Sequence, residues 1–204
     1  MKFDLHMHTR RYSPDSEIDP FDLVRRARDV GLDGIVITEH DRLWPDDELD
    51  ELRRAAPGLV VLGGVEVSGR GGDLLCYGVR DLTNLRRGMP WGALCREVDR
   101  QGGATVAAHP FRWAQDFDRL IADERPTLHG LEMMSNNMDP DVRRRAVTFL
   151  GQHPGYATLG NSDAHELPVV GVCYTEFDAD IRTSADLVRA IRERTGRPRE
   201  RAGG

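Results

Sequence analysis

Hydrophobic and polar positions follow two alternating periods along this chain. Short, nearly unbroken apolar runs predict buried strands: GIVIT (34–38), LVVLGGVEV (59–67), DLLCYGV (73–79), ATVAA (104–108), LHGLEMM (128–134) and YATLG (156–160). Between them lie stretches with a helical period. Asp19 to Val30 opens on Asp-Pro, an N-cap residue with proline at the first helical position, and Gly31 ends it. Asp46 to Ala56 stops at Pro57-Gly58, and Pro90 to Gln101 stops at Gly102-Gly103. Asp139 to Gln152 opens on Asp-Pro again, and Thr183 to Thr195 is the last helix. Strand and helix alternate, which predicts an α/β fold with a largely parallel sheet. The length, 204 residues, suits a single domain, taken as 1–195, with 196–204 expected to be a polar, flexible tail.

Composition narrows the function classes. The formal net charge is −6, so no overall polycation is present to grip extended nucleic acid. Lys2 is the one lysine, so arginine abundance by itself carries little functional weight. Cys76, Cys95 and Cys173 are odd in number and far apart, which suggests neither a disulfide framework nor a cysteine zinc site. A reducing cytoplasm is the expected compartment. Charged residues interrupt any apolar start, and no run approaches the roughly 18 apolar residues of a membrane helix.

The placement of the polar residues changes the picture most. His6 and His8 stand in the first apolar stretch, DLHMHT (4–9). His40 follows GIVITE, Glu66 lies near the end of LVVLGGVEV, His109 follows ATVAA, and Asp163 and His165 follow YATLGNS. All stand at or just past the C-terminal end of a predicted strand, the end where parallel α/β barrels build their sites. Residues two apart on a strand share a face, so His6 and His8 can reach one ion. Asp163 and His165 repeat that spacing. Imidazole with carboxylate suits zinc, manganese or iron without any cysteine. A lone histidine is more often a packed or capping residue than a ligand. Here five of seven histidines fall at these sites, which reverses that balance; His129 and His153 read as structural.

These motifs resemble the PHP domain, named for polymerase and histidinol phosphatase. DLHMHT (4–9), ITEHD (37–41), AHP (108–110) and SDAH (162–165) occur in order, with GVEVS (64–68) as the glutamate motif. The resemblance runs from about residue 3 to about residue 177. It implies a distorted seven-stranded (β/α) barrel with two or three divalent metal ions at the strand C-termini. Carried over residue by residue, it implies His6, His8, Glu66 and Asp163 at a first metal. Glu66 would bridge to a second metal, also held by His109, and Asp15, His40 and His165 would hold a third. Two positions depart from the family pattern: Glu39 replaces an aspartate, and Asp73 replaces a histidine ligand of the second metal. Asp73 is retained as a candidate ligand through oxygen.

The resemblance implies a metal-dependent phosphoesterase acting on a small phosphomonoester, such as a nucleotide, a sugar phosphate or a histidinol-phosphate-like compound. A metal-bridging hydroxide would be the nucleophile, and the metals would polarise the phosphoryl oxygen. Arg112 is the expected phosphate clamp, with Arg10 and Arg11 as second choices. His165 has general acid as its alternative role. Asn136 and Asn137 follow a strand and are candidate substrate contacts, and Phe111 and Trp113 are candidates to line a ring-stacking pocket. Alternatives are a phosphodiesterase or exonuclease on short oligonucleotides, metal-dependent C–N hydrolysis, and a non-catalytic metal-binding module.

Overall fold

The computed structural model describes residues 1–201. These residues form one sheet of nine strands flanked by six α-helices. In chain order the strands are β1 (Lys2–Asp4), β2 (Gly34–Ile37), β3 (Val60–Gly69), β4 (Gly72–Tyr77), β5 (Ala104–Ala107), β6 (Gly130–Met134), β7 (Ala157–Gly160), β8 (Cys173–Phe177) and β9 (Gly196–Glu200). The helices are α1 (Pro20–Asp29), α2 (Asp46–Ala55), α3 (Trp91–Arg100), α4 (Phe117–Glu124), α5 (Pro140–Gln152) and α6 (Ser184–Arg192). The sheet order is β7-β6-β5-β4-β3-β2-β1-β8-β9. Strands β1, β2 and β3 pair in parallel, as do β5, β6 and β7; β4 runs antiparallel between the two sets. Six strand C-termini therefore point to one end.

The sheet curls into a nearly closed barrel. β8 pairs antiparallel with β1 and returns the sheet towards β7. At that seam a side chain replaces the backbone ladder: the Thr175 hydroxyl accepts from Gly160 N at 3.0 Å and donates to Gly160 O at 2.9 Å. A Cβ on Gly160 would lie 2.9 Å from Tyr174 O, so glycine is what permits this approach. The interior is filled from strand after strand: Phe3 and Leu5, Val36, Leu62, Leu75 and Tyr77, Ala104 and Val106, Ala157 and Leu159, and Phe177. Helix α6 closes it with Leu187 and Ile191. The outward faces pack under the helices; Ile35, Ile37 and Met7 meet Leu23, Val24 and Ala27 of α1. Helix α1 forms as its sequence predicts, with the Asp19 carboxylate accepting from Phe21 N and Asp22 N ahead of Pro20. No helix among the described residues is long and apolar enough to cross a membrane.

Three expectations need correction. The sheet has nine strands rather than seven, because β8 and β9 extend it past β1. The polar segment from Gly196 is a strand as far as Glu200: it pairs antiparallel with β8, and Arg197 and Arg199 reach Asp178 and Glu176. The remainder of that expected tail, 202–204, lies outside the described residues. Helix α4 was not predicted; it is short, capped by Asp116, and Phe117 is its one fully buried side chain.

Candidate metal centre

The β1 ladder ends at Asp4, and His6 and His8 follow within four residues of it. Met7 bridges to Ala164 and turns outward, so both imidazoles face the barrel axis and are fully buried. Their Nε2 atoms stand 3.1 Å apart. Both approach Glu66 Oε2, at 3.3 and 3.2 Å, and Asp163 Oδ1, at 3.2 and 3.4 Å. Glu66 reaches this point from near the end of β3, and Asp163 from the loop after β7, with a left-handed backbone at φ 52°. Such a conformation is uncommon for a residue with a side chain.

Glu66 Oε2 is buried and has no hydrogen-bond partner of acceptable geometry. It nonetheless has three imidazole nitrogens within 3.3 Å, from His6, His8 and His40. The His6 and His8 ring nitrogens can both donate to that oxygen only by bringing two N–H groups face to face, 3.1 Å apart. A cation at their common focus satisfies them together, so the residues fit a divalent metal.

A second, shallower group adjoins the first. His40 places Nδ1 3.0 Å from Glu66 Oε2 and Nε2 3.1 Å from Asp15 Oδ2. His165 Nε2 lies 3.4 Å from the same Asp15 oxygen. The rings of His40 and His165 both pack on His8, at 4.2 and 4.4 Å between centroids, and stand 6.0 Å from each other. On the opposite side, His109 Nε2 is 3.3 Å from Glu66 Oε1, and Asp73 on β4 joins the pair. In that group, as in those of His8 with His40 and His165, His6 with His109 and Asp163, and His6 with His8 and Glu66, the donor atoms lie within 4.8 Å of one another. The structure thus brings all nine predicted positions to one place, His6, His8, Asp15, His40, Glu66, Asp73, His109, Asp163 and His165, and Asp73 stands with them despite its departure from the family pattern.

Charge is balanced tightly here. Burial opposes a charge on His6, but Asp163, Glu66 and Glu132 outweigh it and hold its pKa well above the ordinary value. Burial likewise opposes ionisation of Glu66 and Asp163, yet the surrounding imidazoles hold both below the usual carboxylate range. Burial and the neighbouring Glu66 push Asp73 up. The carboxylates thus draw positive charge onto the rings; a divalent cation delivers it to one point, where stacked imidazolium rings would repel.

Buried carboxylates behind the donors are what the sequence reading overlooked or left open. Glu132 on β6 is fully buried and accepts from His6 Nδ1 at 3.0 Å, Asn161 Nδ2 at 2.8 Å and His109 N at 2.7 Å. With Nδ1–H committed to Glu132, His6 offers its Nε2 lone pair to the focus. The clue was an acidic residue inside the apolar run LHGLEMM. Glu39 does the corresponding work for the neighbouring loop. It accepts from Thr9 N, Ser13 Oγ and Trp44 Nε1, and Ser13 Oγ is 3.3 Å from His8 Nδ1. Asp4, pushed up to about 6 by burial against its hydrogen bonds, accepts from Ser162 N and Gly171 N and so ties the β7 loop to β1.

The cluster opens into a cleft of about 420 Å³ lined also by Arg112, Trp113, Asn136 and Asn137. Arg112 Nη1 lies 3.8 Å from Asp163 Oδ2, and Asn137 Nδ2 donates to that same oxygen at 2.5 Å. Arg10 and Arg11 are engaged elsewhere, with Asp19 at 2.7 Å and Glu48 at 2.6 Å, and do not line this cleft. His129 and His153 are also distant from it: one receives Thr105 N, the other stacks on Phe149.

A family model described as PHP domain matches residues 4–121, and one described as PHP-associated matches 143–195. The first segment carries His6 to Arg112, the second Asp163 and His165, and both contribute strands to the one sheet. The chain is similar to MJ1587, an uncharacterized protein of Methanocaldococcus jannaschii, at 26% identity over 121 residues, covering 54% of this chain and 68% of the relative. In fold it is similar to a two-domain protein from Bacteroides vulgatus containing a predicted PHP-like metal-dependent phosphoesterase, with TM-score 0.75 and 21% identity. That match covers 98% of this chain but only 64% of the Bacteroides protein. It is also similar to the lesion-specific endonuclease PfuEndoQ of Pyrococcus furiosus, with TM-score 0.69 and 17% identity, over 94% of this chain and 56% of that one.

Proposed function

This chain belongs to the PHP domain family, and from that premise we propose that it is a metal-dependent phosphoesterase hydrolysing a small phosphomonoester. The observation that carries the reading is the convergence of five imidazoles and four carboxylates on one cleft, with Glu66 Oε2 buried among three ring nitrogens. Two or three divalent ions fit this donor set; zinc, manganese and iron all suit nitrogen with oxygen and no thiolate. Such ions, when bound, supply a Lewis acid for the phosphoryl oxygen and lower the pKa of water.

The chain's own residues supply the rest. His6, His8, Glu66 and Asp163 hold the deep end, His109 and Asp73 one flank, and Asp15, His40 and His165 the outer flank. Arg112, at the cleft mouth beside Asp163, grips the non-reacting phosphate oxygens, and Asn137 orients Asp163. The cleft's small volume and the acidic net charge favour a short substrate over a polymer.

The test is direct. Protein stripped with chelator and reloaded with Mn or Zn is assayed on p-nitrophenyl phosphate, its bis ester and a short oligonucleotide. The monoester is expected to turn over fastest. Faster cleavage of the oligonucleotide would move the activity to a phosphodiesterase, and fewer than one metal per chain after reloading would remove the metal-dependent reading altogether.

A further inference from the structure

Three tryptophans treat their indoles differently. Trp44 and Trp91 are buried, and their N–H groups donate to Glu39 and to Gly72 O. Trp113 is 82% exposed, the most exposed large hydrophobic side chain among the described residues. It is not on a slack loop. Phe111, two residues before it, is buried against Phe117 and Phe149. Gln115, two residues after it, accepts from Phe111 N at 3.1 Å and donates to Gly71 O in the β3–β4 turn. Between these two anchors the backbone is left-handed at both Phe111 and Trp113, φ 72° and 57°. Bulky residues adopt that conformation only where their surroundings impose it.

The indole is therefore held out over the same cleft that Asp163, His109 and His165 line. Arg112 joins the two. Its guanidinium carbon stands 4.6 Å from the Trp113 ring centroid, and its Nη1 is 3.8 Å from Asp163 Oδ2. One guanidinium group thus lies between the Asp163 carboxylate and the indole. A ribose spans a comparable gap between its phosphate and its base. One indole face meets Arg112; the remainder of this highly exposed ring faces cleft and solvent. Stacking on such a ring is tolerant of base identity, because every base has a π-face.

We propose that Trp113 is a stacking platform for the planar ring of the substrate, which makes the substrate a nucleoside phosphate rather than a sugar phosphate. This rests on the phosphoesterase reading and adds the leaving group's chemistry to it. The phosphate sits at the Arg112 and Asp163 end, the ribose passes along the guanidinium, and the base lies on the indole.

The full-length chain loaded with Mn(II) is assayed on adenosine 5′-monophosphate and on ribose 5-phosphate, which has the same phosphate and sugar but no base. The wild type prefers the nucleotide by about tenfold or more in kcat/KM, mostly through KM. Trp113→Ala collapses that preference, and Trp113→Phe restores most of it. Independently of turnover, titration with adenosine 5′-monophosphate quenches tryptophan fluorescence in the wild type but not in Trp113→Ala, since the remaining indoles are buried. Equal rates on the two substrates, or a preference that survives Trp113→Ala, overturns the platform. If neither ester is hydrolysed, the monoesterase reading fails, and the quench alone decides: its presence upholds a base-stacking site, its absence removes it.

Discussion

The metal centre has two unlike halves. In the inner half His6, His8, Glu66 and Asp163 are at most 3% exposed, and each imidazole is backed by a buried partner, Glu132 behind His6 and Ser13 with Glu39 behind His8. In the outer half the side chains of Asp15, His40 and His165 are 55%, 31% and 27% exposed; both rings share Asp15 and rest on His8, with no buried carboxylate of their own behind them among the described residues. The inner half is preorganised by the barrel core, so its geometry exists before a metal arrives. The outer half is open to solvent and less constrained. On the proposed reading, metal positions here would be unequal: the deep one is expected to bind more tightly than the outer one.

The largest effect is expected at the inner half. His6→Ala or Glu66→Gln lowers metal content below one ion per chain by elemental analysis and abolishes phosphatase activity, a loss of about 10³-fold or more. Next comes Glu132→Gln, which keeps the shape but removes the charge behind His6. It lowers metal affinity towards about 100-fold, measured by competition with a chelator, while circular dichroism stays unchanged. Asp15→Asn lowers the affinity of the outer position by about tenfold and leaves the inner stoichiometry intact. Equal losses from Glu132→Gln and Asp15→Asn would erase the distinction between the halves.

A smaller effect is read through pH. Burial opposes a charge on His40, yet Glu66 and Asp15 raise its pKa from 6.5 to about 9 in the metal-free chain. The bound proton therefore stabilises the metal-free fold fully below pH 6.5, and that contribution is lost as pH rises through about 9. Metal displaces the proton, so loading strengthens over the same interval. Thermal melting at both pH values, with metal and with chelator, should show opposite slopes; parallel slopes would count against it. The smallest effect is a control far from both halves. Burial pushes the Cys95 thiol up to about 11 and Cys173 up to about 12, so neither is a thiolate near neutrality. Ellman's reagent should react only after unfolding.

The sequence carried most of the donors, because they stand at strand ends and strand ends are visible as the limit of an apolar run; Asp15, in the loop before α1, came only through the resemblance. His40 after GIVITE and His109 after ATVAA are of this kind. What it did not show depends on pairing across long separations. β8 and β9 look like polar-interrupted segments until β1 supplies a partner for Thr175 and Glu176. Glu132 looks like one polar residue on a strand, since its partners come from β1, β5 and β7 ends. Leu5 lies in the barrel interior, while Met7, two residues on, packs under the helices. Regular pleating stops at Asp4, so alternation cannot be counted through the segment that follows. Asp73 was a candidate ligand only through the family resemblance, because the antiparallel β4 that delivers it was not expected.

The pairing of β1 has a consequence for the order of assembly. This strand lies inside the sheet, between β2, its near neighbour in sequence, and β8, from the far end of the described chain. At ribosomal speeds of about 5–20 residues per second, β8 emerges on the order of ten seconds after β1. Until then one edge of the strand leading to His6 and His8 is open, and Asp163 and His165 have only just followed. A nascent chain in that interval holds two bare imidazoles beside an unpaired edge, able to pick up a stray ion or a neighbouring strand. Closure by β8 is thus also the step that completes the barrel around the candidate site.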